Sequence, residues 1–382
     1  MPYLAPDTLS YVCPHTGKLS WVVIPRPSNF HAHLRQNELL NAVAHATMLP
    51  WRYLLAMPNT GPITTIEKML AYREKLLEIR DTYGLSTEFI MTIYLTASLK
   101  PEDIERMAEL SVHCAVKYYP PVTGATTGSG LGIPLVEAKD ILRAMEVHGV
   151  RLLGHFESVY DKHGILLPQE VREDYFMEHE FAWLRDKYPD LKITIEHATT
   201  AQAINRVEED NSGNTVCTIT PQAMILERND LDTLSWAVHA KCMPIAKTPL
   251  DRKVVTDFAT SGDFRAFLGD DTAPHPSNAK ERLFQDAASG CFVPHSLALY
   301  LRVFFENETL ENFARFACFN GPHWWGLPTP DDSDRILLVR DDETDIPSPF
   351  RIPGSTDVVI PFGWTKQDDA YHPGMKLFSN PK

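Results

Sequence analysis

Short apolar, β-rich runs recur along the chain, each followed by a stretch whose apolar residues return at helical spacing. The runs are "WVVIP" (21–25) leading into "SNFHAHL", "YLLAMPN" (53–59), "FIMTIYLT" (89–96), "HCAVKYYP" (113–120), "VRLLGHFE" (150–157), "KITIEHAT" (192–199), "TVCTITPQ" (215–222) and "FRAFLGDDTAPH" (264–275). Among the intervening segments, "TTIEKMLAYREKLLEIRDTYG" has a threonine suited to cap its start and a glycine, Gly84, to end it; "PLVEAKDILRAMEVHG" stops at Gly149. Eight strands alternating with helices predict an α/β chain with a parallel sheet covered by helices, and eight is the number that closes a (β/α)8 TIM barrel. A doubly wound open sheet competes with it, but no GxGxxG follows an early strand.

The periodicity changes at both ends. Residues 1–20 read as an N-terminal extension and 21–327 as the barrel. Residues 328–382, rich in Pro and Asp and interrupted by "RILLVR" and "DVVIPF", read as a C-terminal extension packed on the barrel. No repeat or low-complexity tract is visible.

Composition narrows the function classes. The 382 residues are 44% hydrophobic with a net charge of −14, so a nucleic-acid partner is not expected. No run approaches the roughly 18 apolar residues of a membrane span, and the N-terminus has no signal-peptide pattern. The six cysteines are scattered without a CxxC pair, the usage of a cytoplasmic protein without structural disulfides. The oligomeric state is left open, a homodimer included.

The ionisable residues fall where a barrel places its chemistry, at the carboxyl ends of the strands. His31 and His33 follow strand one, Lys117 lies in strand four, His155 and His197 end strands five and six, and Asp271 ends strand eight. On an extended chain His31 and His33 share a face about 6–7 Å apart, which suits two ligands of one ion, although an HxH pair alone can be a surface accident. His155 or His197 taken singly reads as a hydrogen-bonded core residue; four histidines on the strand ends of one barrel are harder to dismiss. Lys117 sits in a strand that reads as buried, where an ammonium is costly. Either a carboxylate pairs with it or CO₂ has converted it to an anionic carbamate. Asp271 reads either as a helix-capping residue or as a ligand and proton shuttle.

Together these residues resemble the dihydroorotases of the amidohydrolase superfamily, in their compact single-function form. The resemblance runs from "PRPSNFHAHLR" to "NGPHWWGLP" through "AMPNTGPITT", "AVKYYP", "GATTGSG", "GHFE", "EHATT", "TITPQ", "LGDDTAPH" and "ASGCF". It implies two zinc ions bridged by hydroxide and by Lys117 as N6-carboxylysine. His31, His33 and Asp271 would hold one ion, and His155 and His197 the other. It implies a carboxylate clamp of Arg35, Asn59 and His275, with further substrate contacts from Thr126 and Thr127 on a mobile loop, from Met224 and from Ser289. Met224 stands where the family pattern has Leu, Asp270 where it has a neutral hydroxyl residue, and "PPVTG" lengthens the loop by about two residues.

The resemblance implies zinc-dependent, reversible cyclisation of N-carbamoyl-L-aspartate to L-dihydroorotate in pyrimidine (UMP) biosynthesis. In the hydrolytic direction the bridging hydroxide attacks the ring amide, with Asp271 as general base and then acid. A hydantoinase or allantoinase is the nearest alternative, but those substrates lack the carboxylate that the clamp would grip. A catalytically silent barrel serving as a binding partner would not need six intact ligands.

Overall fold

The computed structural model describes residues 8–59, 61–122, 130–284, 286–330, 333–340, 346–364 and 375–379. Thr126 and Thr127 lie outside the described residues. Two strands, β1 (Leu9–Val12) and β2 (Leu19–Pro25), precede eight that form one parallel sheet. These are β3 (Asn29–Ala32), β4 (Tyr53–Ala56), β5 (Glu88–Tyr94), β6 (Cys114–Tyr118), β7 (Leu152–Gly154), β8 (Ile193–Ile195), β9 (Thr215–Ile219) and β10 (Ala266–Leu268). Each pairs with its sequence neighbour. The expected helices lie between them. Thr65 caps Ile66–Thr82 by accepting from the Lys68 N–H, and Gly149, at φ 71°, ends Lys139–His148 in the left-handed conformation that glycine adopts without strain.

Both faces of this sheet are buried, so its strands read as near-continuous apolar runs. Alternation still sorts their side chains. Leu55, Ile90, Ala115, Leu153, Val216 and Phe267 pack with Phe30 in an inner cluster, whereas Leu54, Met91, Val116, Leu152, Cys217 and Leu268 join the outer core under the helices. Trp325 and Leu327 complete the inner cluster, with the Trp325 ring stacked 6.2 Å from Phe30. A hydrophobic layer therefore fills the barrel just below the level at which Lys117, His155 and Asp271 emerge.

The barrel closes between β3 and the segment after β10. Asp271 N–H donates to the His31 carbonyl at 3.0 Å and His33 N–H to the Thr272 carbonyl at 2.9 Å. The Asn29 side-chain oxygen accepts from the N–H groups of His31 and Asp270, each at 3.1 Å. The seam is thus made from the residues that flank the candidate ligands.

One element differs from the sequence reading. "WVVIP", taken as the lead-in to the first barrel strand, belongs to β2, in a separate antiparallel sheet ordered β1-β2-β11-β14, with β11 (Arg335–Arg340) and β14 (Met375–Ser379). An apolar run has no way of declaring which sheet will take it, and the barrel strand starts four residues later, at Asn29. The short β12 (Phe350–Arg351) and β13 (Val358–Val359) pair with each other, and Val359 bridges to Pro276 beside the candidate site. No helix among the described residues is long and apolar enough to cross a membrane.

The seam yields a stability test. Asn29→Ala leaves two buried N–H groups without their acceptor, at about 1–3 kcal/mol each. The urea midpoint should fall at unchanged m-value; an unchanged midpoint would show that Asn29 is not a staple.

Candidate metal centre and active site

The sequence-predicted ligands converge on one buried cluster. His31, His33 and Asp271 form a group whose ligand atoms all lie within 4.8 Å of one another. Asp271 Oδ1 is 3.2 Å from His31 Nε2 and 2.9 Å from His33 Nε2. His155 Nδ1 lies 3.0 Å from His197 Nε2. The His31 ring links the two groups, with its centroid 5.3 Å from that of His33 and 5.0 Å from that of His197. Lys117 is fully buried on β6, with Nζ 3.7 Å from Glu196 Oε2, beyond hydrogen-bond reach. Two of these residues hold left-handed backbone, His197 at φ 43° and Asp271 at φ 48°. Such conformations are uncommon outside glycine and persist where the surroundings enforce them.

Three of the imidazoles are oriented from outside. His31 Nδ1 pairs with Glu196 Oε2, His33 Nδ1 with Asn59 Oδ1 at 2.6 Å, and His155 Nε2 with Glu157 Oε2 at 2.7 Å. Each outer partner is an acceptor, so it holds the ring proton on that side and turns the other nitrogen's lone pair inward. The inner nitrogens then face an anion or another nitrogen at 2.9–3.2 Å. Where lone pairs face a carboxylate in this way, as at His31 and His33, a cation between them relieves the contact. Bonds of about 2.05 Å at tetrahedral angles put neighbouring ligand atoms about 3.3 Å apart, close to these separations. His31 Nε2, His197 Nδ1 and Lys117 Nζ make no hydrogen bonds among the described residues. The donor set fits divalent metal.

The electrostatics agree for three of the four imidazoles, and His31 is the exception. Burial pushes His33 down to about 4, lowers His155, and takes His197 well below the usual imidazole range, leaving each neutral and able to ligate. Burial would lower His31 too, but the Glu196 and Asp271 carboxylates outweigh it and raise it. For Asp271 burial works upward, yet His31 and His33 hold it well below the carboxylate range. Burial lowers Lys117 to about 8 despite Glu196 and Asp271, which exposes part of it as the free amine.

A cavity of about 90 Å³ opens beside the cluster, bordered by His31, His33, His155, His197 and Asp271 and by the proposed clamp, Arg35, Asn59 and His275. Arg35, at φ 63°, is buried; its carbonyl accepts from Tyr72 Oη at 2.7 Å and its Nε donates to the Pro274 carbonyl at 2.7 Å. Arg35 Nη2 is 2.9 Å from His275 Nε2, which also lies 3.0 Å from the Ser289 carbonyl. That nitrogen can accept from Arg35 or donate to Ser289, not both.

Ser289 borders the cavity, whereas Met224 is buried in the outer core and lines no part of it. Asp270 turns away from the ligands; its carboxylate accepts from Ser296 Oγ at 2.7 Å and from Thr272 N–H at 2.9 Å, and burial raises it to about 6. The sequence reading missed Glu157 and Glu196. Their signal was present: each is a carboxylate within two residues of a strand-end histidine in otherwise apolar text, and Glu157 shares the face of His155.

No family model matches the chain. It is 38% identical over 343 residues to a protein named dihydroorotase from Halorhodospira halophila, covering 89% of this chain and 95% of that one. A dihydroorotase from Saccharomyces cerevisiae, solved with 5-fluoroorotic acid, superposes with a TM-score of 0.81 at 26% identity, covering 95% of this chain and all of that chain. An L-hydantoinase from Arthrobacter aurescens superposes with a TM-score of 0.69 at 16% identity, covering 85% of this chain and 77% of that one, and so shares the fold.

The outer carboxylates generate a measurable expectation. Glu196→Gln should lower divalent-metal affinity by about 10- to 100-fold, as loss of a ligand's orienting partner does. Competition with a chromogenic chelator reads this without an activity assay; equal affinity would remove Glu196 from the site.

Proposed function

The chain belongs to the dihydroorotase family, hydrolases acting on a cyclic amide in pyrimidine biosynthesis, and on that premise we propose how its residues carry the reaction. His31, His33 and Asp271 would hold one divalent ion, His155 and His197 a second, and Lys117, carboxylated on Nζ, would bridge them. Zinc suits these nitrogen and oxygen donors. The free-amine fraction of Lys117 supports its carboxylation, because CO₂ adds to a neutral amine. The ions supply Lewis acidity and lower the pKa of water.

The protein's own part is binding and proton transfer. Arg35 would grip the substrate carboxylate with its planar fork, Asn59 and His275 completing the clamp. This fixes the ring amide over the cluster and turns binding energy into orientation. In hydrolysis water adds to the amide carbonyl and the C–N bond breaks. Asp271, ionised at neutral pH, takes the water proton and returns it to the departing nitrogen; biosynthesis reverses this. The observation that carries the reading is the meeting of ligand cluster and clamp in one cavity. Thr126 and Thr127 are proposed to reach the substrate from their loop, and Ser289 from the cavity wall; Met224, which lines no part of the cavity, is assigned no contact. The six free thiols support a cytoplasmic location.

Three measurements test this. Elemental analysis should find two zinc-like ions per folded chain; a folded, active protein without metal would refute the centre. Lys117→Ala should abolish activity, and short carboxylic acids should partly restore it by standing in for the carbamate. Arg35→Lys keeps the charge but loses the fork, so kcat/KM for dihydroorotate should fall about ten- to hundredfold, or about 1.5–3 kcal/mol, with metal content unchanged. Hydantoin, lacking the carboxylate, should be a poor substrate and indifferent to the change; preference for hydantoin in the native protein would overturn the clamp.

A further inference from the structure

Tyr119 follows Lys117 by two residues, and alternation along β6 and its extension carries both side chains inward. The intervening Tyr118 turns the other way, its ring 5.8 Å from Phe156 and 5.9 Å from Phe176. The Tyr119 ring is held edge-on to Tyr94 at 4.9 Å, with Lys117 Nζ 5.1 Å from its centroid and the His155 ring 6.3 Å away. The residue is 3% exposed and borders the cavity with Arg35 and Asp271. Its hydroxyl makes no hydrogen bond among the described residues.

A buried hydroxyl without a partner is costly, and at a ligand site the ligand is the natural source of that partner. An ordinary tyrosine phenol keeps its proton at neutral pH. A protonated phenol needs an acceptor. The cyclic-amide substrate brings carbonyl and carboxylate oxygens, all acceptors. We propose that Tyr119 is a substrate-contacting residue whose hydroxyl donates to an oxygen of the bound substrate. This rests on the dihydroorotase reading and adds a donor on the wall that carries Lys117, apart from the arginine clamp.

The test is Tyr119→Phe in the metal-loaded enzyme, which keeps the ring and its packing. KM for dihydroorotate and the calorimetric Kd for orotate, a planar unreactive analogue, should both rise about tenfold, with the effect on KM exceeding that on kcat. Metal content should not change. The unliganded melting temperature should stay level or rise, because the deleted hydroxyl has no partner among the described residues to lose. A structural hydroxyl would give the opposite pattern. A fall in melting temperature, failure to fold, or unchanged KM and Kd would each overturn the proposal. A native enzyme that leaves dihydroorotate untouched would instead overturn the dihydroorotase reading, so the two failures are distinguishable.

Discussion

The backbone hydrogen bond from Asp271 to the His31 carbonyl joins the last barrel strand to the first, and the centre depends on it. Without that seam His31 and His33 would sit at one edge of an open sheet and Asp271 at the other. With it they are neighbours at strand spacing, and the Asp271 carboxylate meets both imidazoles at 2.9–3.2 Å. The left-handed backbone at Asp271 and His197 is the local cost of aiming these side chains inward. Asn29 tightens the same seam from below, by tying His31 to Asp270.

Burial then selects the protonation states. A hydrophobic layer from Phe30 to Phe267 lies below the cluster and keeps water from that side. Low polarity favours neutral imidazoles and a less basic lysine, while the carboxylates at the rim pull the other way. Glu196, Asn59 and Glu157 face the outer nitrogens of His31, His33 and His155, so these three rings have a defined donor side and a defined inner side. The same chain without these outer acceptors would leave the ring protons free to sit on either nitrogen.

Substrate discrimination is a separate layer. The barrel is shared with a hydantoinase at a TM-score of 0.69, so the fold itself does not choose a carboxylate-bearing ring. The loops after β3, β4 and β10 bring Arg35, Asn59 and His275, the proposed carboxylate clamp, to the cavity wall. The C-terminal segment braces that wall: Ser277 and Asn278 hydrogen-bond to Asp357, and the Phe362 N–H donates to the Phe292 carbonyl at 2.8 Å.

The eight strands, their order and the strand-end residues were legible in the sequence, because apolar periodicity follows from burying one layer against another. His31, His33, Lys117, His155, His197 and Asp271 stood out because ionisable groups are rare in such text. The reach of the barrel was less legible. "WVVIP" is as apolar as any barrel strand, and its place beside β11, more than 300 residues away, is settled by long-range pairing. Asp270 and Asp271 are adjacent and chemically alike, yet one turns to Ser296 and the other to the histidines. Neighbouring identity cannot decide direction; the backbone angles at the barrel seam do. Residue types and spacing determined what this chain could assemble, and closure of the barrel decided which of those groups meet, because contact across that seam depends on geometry spanning some 240 residues of chain.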